Sequence, residues 1–364
     1  MGRQTLLVIF CLNAVIVAPL SGQNLSYNDV ARFVAGQPVS PASPLNRLMV
    51  AASVRKHYAE TSSLSKKWQE SRLSAVEKWA KTELQPQLTR PKTVQYMFGG
   101  PDFVHVVSLF PGVPEYILVG LEPLGSLPDF LSMDEVVLDS YLSHLNYSLR
   151  SISRRNFFIT TEMREDFGKD GVDGVFPVLL YFAALTGHEV LNGDYVTLES
   201  SGNVIYTSPE KATGIWLRIR KANRGPNDPA EQNLYYFKTD LSNSGFKGGS
   251  PFHRFLSARP ESVSYLKAAS YLMLKEDFSN IRNFMVGNSR FILQDASGIP
   301  AEFLNAYFRL TFYGNYVGPI DMFSEYDQPW LRQVYRSGVA KPLPFGTGYR
   351  MRDADSIQIF GVRK

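Results

Sequence analysis

Hydrophobic positions change their period several times along this chain, and each change marks a different element. Leu6 to Leu20 is almost unbroken apolar sequence, interrupted by Asn13 and preceded by Arg3, and Ser21-Gly22-Gln23-Asn24 follows it. A basic start, a short apolar core and a small-residue exit predict a secretory signal peptide over residues 1–23, cut near Gly22 or Gln23. Pro19 closes the stretch early, short of the roughly 20 apolar residues a bilayer span needs; the alternative is an uncleaved anchor. Residues 24–92 read as a helical N-terminal segment with a turn at Ser40-Pro41-Ala42-Ser43-Pro44. Inside it Leu64, Trp68, Ala75 and Trp79 recur at helical spacing, with Lys66, Lys67, Glu70, Glu77 and Lys78 between them. That pattern predicts an amphipathic helix laid on a larger body, or alternatively one offered to a partner.

Residues 93–364 read as a single α/β domain. Val94 to Phe98 predicts a short strand, and Pro101-Asp102 is a helix start. Phe103, Val106, Val107 and Phe110 then fall at i, i+3, i+4 and i+7, one helical face, although the valines also admit a strand. Tyr116 to Gly120 is an apolar run bounded by turn residues, as in a strand buried on both faces. The three elements make a β-α-β unit with parallel strands. Ser132-Met133-Asp134-Glu135 is a capping box opening a helix to about Arg155, and Phe176 to Leu185 is a second helix stopped near Gly187.

The period then becomes two. Tyr195 to Glu199 and Val204 to Tyr206 flank a Ser-Ser-Gly-Asn turn, and Ile215, Leu217 and Ile219 alternate with Trp216, Arg218 and Arg220. Leu234 to Leu241 is expected to pair with that strand and extend the sheet. Further on, Asp277 to Val286 and Trp330 to Tyr335 read as helices, and Phe291 to Leu293, Tyr307 to Tyr313 and Ile357 to Val362 as strands. The predicted class is α/β (mixed α+β): a mixed parallel and antiparallel sheet flanked by helices, with a helical N-terminal segment.

Composition narrows the choice of function. Hydrophobic residues are 44% and charged residues 20%, ordinary for a globular chain. Thirty-eight Lys+Arg against 34 Asp+Glu leave +4, too weak an imbalance to point to nucleic acid. The single cysteine, Cys11, lies in the signal stretch. A processed chain would therefore have no disulfide, thiolate nucleophile or Cys-ligated metal. After the signal the longest apolar run, Val175 to Leu185, is too short to span a membrane. The expected location is secreted or periplasmic.

Tyr96-Met97-Phe98-Gly99-Gly100-Pro101-Asp102 and Leu293-Gln294-Asp295-Ala296-Ser297-Gly298-Ile299-Pro300 resemble motifs in a group of uncharacterised exported bacterial proteins. The group has Ser at the position of Gly99 and a second acid at that of Ala296. The resemblance covers most of the mature chain. It implies export and a bacterial source, but no activity, cofactor or substrate.

Catalytic motifs are missing: there is no G-x-S-x-G elbow, H-E-x-x-H, P-loop or G-x-G-x-x-G. S-x-x-K spacings such as Ser63/Lys66 and Ser264/Lys267 have no S-D-N or K-T-G companion. Asp166, Asp170 and Asp173 lack EF-hand spacing and read as an acidic turn, and the five histidines are scattered. No metal site or cofactor is predicted. Topology supplies one constellation. In open α/β sheets ligands bind beyond the carboxyl ends of parallel strands, where Asp102 and Glu122 fall. His105 shares the helical face of Asp102. A parallel strand ending at Leu293 would add Asp295 and Ser297. Such carboxylates could hold a hydrated cation or act as acid and base.

Two functions follow. One is a noncatalytic protein that binds a ligand or an envelope component through a Trp- and Tyr-bearing surface including Trp216 and Tyr236. The alternative is an exported hydrolase using Asp102, Glu122 and Asp295, with His105 carrying the proton.

Overall fold

The computed structural model describes residues 25–155, 174–226 and 228–364. The signal stretch and the Asp166/Asp170/Asp173 turn lie outside the described residues. Helices α1 (Tyr27–Val34), α2 (Ala52–Trp68) and α3 (Ser74–Trp79) lead into β1 (Thr93–Tyr96), α4 (Phe103–Leu109) and β2 (Glu115–Gly120). Next come α5 (Glu135–Arg155), α6 (Phe176–Leu185), β3 (His188–Leu198), β4 (Val204–Tyr206), β5 (Gly214–Lys221) and β6 (Gln232–Lys238). The chain continues through α7 (Pro251–Ser257), β7 (Ser262–Leu266), α8 (Ser279–Asn288) and β8 (Ser289–Gln294). It ends with α9 (Ala301–Tyr307), β9 (Phe308–Gly314), α10 (Pro329–Arg336) and β10 (Ile357–Arg363).

All ten strands form one sheet in the order β4-β3-β5-β6-β2-β1-β7-β8-β10-β9. The central five, β6, β2, β1, β7 and β8, run parallel, and the strands on either side pair antiparallel to them. The β-α-β unit is present, with Val94 opposite Tyr116 and Tyr96 opposite Leu118. Phe103–Leu109 is helical, not the alternative strand, because Asp102 caps it by accepting from the His105 amide at 3.4 Å.

Alternation along the strands feeds two large cores and, through Ile357 and Ile359 of β10, a smaller third cluster. Val94, Tyr96, Tyr116 and Leu118 face the larger one, which also takes the apolar sides of α1 to α6. Trp68 and Trp79 are buried there, as expected of an amphipathic helix laid on the domain. Ile117 and Val119 face the other core, under α7, α8 and α9. With both faces covered, β2 is a continuous apolar run, while β1 and β7 alternate apolar residues with the buried polar Thr93, Gln95, Ser262 and Ser264. Helix α6, Phe-Pro-Val-Leu-Leu-Tyr-Phe-Ala-Ala-Leu, is apolar all round because it is buried all round. Among the described residues no helix is long and apolar enough to cross a membrane.

The structure corrects the sequence reading at several places. The cap of α5 is Asp134, which accepts from the Val137 amide at 2.8 Å. Ser132 is turned away and donates to the Asp129 carbonyl instead. Strand β3 starts at His188, well before the predicted Tyr195, and crosses a bulge between Val190 and Asn192. Helices α7 and α9 and strand β7 were not predicted. The strand matters most, because it lies in the middle of the sheet.

Candidate functional site

Strand β1 leads through α4 on one face to β2, and β7 leads through α8 on the other face to β8. Adjacent strands β1 and β7 thus feed crossovers to opposite sides of the sheet. Such a switch point opens a crevice at the carboxyl ends of the strands, where open α/β proteins bind ligands. Asp102 follows β1 there and Lys267 follows β7. The crevice between them is filled by their ion pair: Lys267 Nζ donates to Asp102 Oδ2 at 2.6 Å, and both side chains are 1% exposed.

Asp102 has two more partners. The Tyr96 hydroxyl donates to Oδ2 at 3.1 Å, and His105 Nδ1 donates to Oδ1 at 2.7 Å. Burial alone would raise the carboxyl pKa. The charges and hydrogen bonds of His105 and Lys267 outweigh it and hold the group at about 2. For His105 burial pushes the pKa down and Lys267 adds to that, against the opposing pull of Asp102. The ring is therefore neutral with its proton on Nδ1, and Nε2 has no hydrogen-bond partner among the described residues. The ring edge meets Trp68 at 6.0 Å between centroids.

Asp295 follows β8 and is equally engaged. Oδ1 accepts from the Ser297 amide at 2.8 Å and hydroxyl at 2.5 Å, and Oδ2 from the Ala268 amide at 3.0 Å. The last bond depends on Ala268 adopting φ +61°, which a residue with a Cβ rarely takes. Burial raises the Asp295 pKa further than these bonds lower it. Beside it the space walled by Tyr271, Tyr316 and Tyr349 is about 20 Å³, room for one water.

On the other flank Glu122 is 2% exposed and accepts the Tyr236 hydroxyl on Oε2 at 2.9 Å. Glycines make this fold-back possible. A Cβ on Gly120 would stand 2.1 Å from Glu122 Oε2, and Gly100, at φ +60°, leaves that carboxylate 3.4 Å from its own Cβ position.

The rim therefore holds Asp102, His105, Glu122, Asp295 and Ser297, as the strand directions imply, but each carboxylate is buried and hydrogen-bonded within the protein. Among the described residues no group of three His, Cys, Asp or Glu side chains is placed to hold a metal ion. Trp216 and Tyr236 do not form a contact surface. Tyr236 is fully buried behind Glu122, and the Trp216 indole, 9% exposed, donates to Asn233 at 2.9 Å and packs on Tyr206. Tyr236 points into the larger core and Trp216 into the second, while Arg218 and Arg220, further along the Trp216 face of β5, are exposed. Lys267 and Tyr96 were missed as site residues. The signal for Lys267 was present, since Ser262-Val263-Ser264-Tyr265-Leu266 alternates like a strand and ends at the lysine.

Comparison with models of protein families, with curated proteins and with solved structures finds no match.

Proposed function

We propose that this chain is an exported, noncatalytic protein of the cell envelope or exterior that binds a small ligand. The observation that carries the reading is the closed switch point: where an enzyme of this architecture would admit substrate, a buried Lys267–Asp102 ion pair fills the crevice. The Asp102 carboxylate accepts four internal hydrogen bonds, two on each oxygen, which leaves no lone pair for a substrate, and catalysis by it would require breaking the pair first. The basic start, apolar core and small-residue exit at residues 1–23 support export.

One observation favours the hydrolase alternative: the Asp102–His105 pair is oriented like a base with its acceptor nitrogen unused. A panel of chromogenic esters, glycosides and phosphates separates the two. The purified chain is expected to turn over none of them, and His105→Gln and Glu122→Gln to behave alike. Turnover by the wild type that disappears in a folded His105→Gln variant would overturn the noncatalytic reading.

A further inference from the structure

A cleft of about 520 Å³ opens between α2 and α5. Its size is that of a small-molecule site. Among the described residues four charged side chains line it: Glu60, Lys67, Arg72 and Arg150. Glu60 Oε2 is committed, lying 3.2 Å from Arg150 Nη2 and accepting the Asn146 amide at 2.9 Å. That leaves Lys67 and Arg72, neither of which has a carboxylate within ion-pair distance among the described residues.

Lys67 is exposed and well solvated, but Arg72 is half-buried. Among the described residues its one hydrogen bond is a long contact to the Ser153 carbonyl at 3.4 Å. Burial pushes its pKa down, and among the described residues the charge opposing that is Asp102, which Lys267 and His105 already hold. A partly desolvated guanidinium is costly without an anion beside it. The fork of an arginine also fits a planar or tetrahedral oxyanion with two parallel hydrogen bonds. Trp68 walls the same cleft, and its indole N–H has no acceptor among the described residues. Leu64 and Ala59 provide apolar wall beside these donors.

From this placement we infer that the cleft between α2 and α5 binds a small organic anion whose phosphate or carboxylate sits between Arg72 and Lys67 and whose apolar body lies against Leu64. The inference rests on the ligand-binding reading above and assigns it a place and a ligand chemistry. A polyanion such as nucleic acid fits less well, because the donors sit in a concavity and the chain carries only +4.

Titration calorimetry at low ionic strength tests this, with phenyl phosphate and benzoate as anionic probes and benzyl alcohol as the neutral one. The two anions distinguish a phosphate from a carboxylate site. At least one is expected to bind, with benzyl alcohol at least about tenfold weaker, and Lys67→Ala or Arg72→Ala each weakening the anion about tenfold. Arg72→Lys keeps the charge without the fork and should fall between. Lys67 is exposed, so its substitution tests the site even should Arg72→Ala fail to fold. No anion binding up to about 10 mM, or binding indifferent to both substitutions, overturns the inference. That failure leaves the noncatalytic reading standing, whereas turnover lost in His105→Gln removes that reading without bearing on the anion heats.

Discussion

Replacing Lys267 by Met asks whether the sheet's switch point is held shut by charge. The pair it breaks has 1% exposure on each side and a 2.6 Å separation, so solvent cannot take over either partner. Removing one member of a buried ion pair typically costs about 3–5 kcal/mol, because the survivor is left as an uncompensated charge. Here Tyr96 and His105 still bond the Asp102 carboxylate, which argues for the lower end, about 3 kcal/mol. Asp102→Asn removes the ion-pair partner of Lys267 in turn and should cost a similar amount. The double variant leaves no orphan charge, so it should lose less than the two single losses added together, by at least about 1 kcal/mol.

Acid gives a second reading of the same pair. The Asp102 pKa is about 2 when folded, against 3.8 ordinarily, so the group adds stability above pH 4 that is lost as the pH falls towards 2. The difference amounts to roughly 2 kcal/mol. Asp102→Asn should remove that part of the acid sensitivity, and Lys267→Met should move its onset to higher pH. Guanidinium denaturation followed by circular dichroism, at neutral pH and through the acid range, measures all of this. A Lys267→Met loss below about 1 kcal/mol, or strictly additive single losses, would refute the reasoning.

Two more expectations concern the surroundings of the site. Gln95 is fully buried in β1, opposite Ile117 and Ser264, and neither atom of its amide has a partner among the described residues. Gln95→Met should therefore stabilise the protein by about 1–2 kcal/mol, and a lower denaturation midpoint would show that the amide is satisfied after all. Gly348 holds φ +59°, and a Cβ there would stand 2.1 Å from Asp295 Oδ2. Gly348→Ala should cost about 2 kcal/mol or more; an unchanged melting temperature would mean that Asp295 does not close against this turn.

Much of the candidate rim was legible without coordinates. Asp102 follows a strand and caps a helix, both readable from local spacing, and His105 falls three residues on. Glu122 ends an apolar run whose burial on both faces removes its alternation, so strand β2 was readable too. Chemistry was less legible, because the carboxylates' state depends on partners distant in sequence. Lys267 lies 165 residues from Asp102, and the S-x-x-K spacing that contains it suggested a different chemistry with no companion motifs. The outward role expected of Trp216 and Tyr236 failed for a related reason: alternation tells which side chains share a face, not what covers it.

By itself the amino-acid order determined the mixed class, most of the elements and the parallel β-α-β unit, since these follow from periodicity, capping and turn residues within a few positions of one another. Tertiary structure alone decided that β7 enters between β1 and β8. That insertion brings a lysine against an aspartate in a place without water, where each charge requires the other, and it turns an open crevice into a sealed one. The same packing leaves Arg72 half-buried beside a cleft, with no carboxylate within ion-pair distance of it among the described residues.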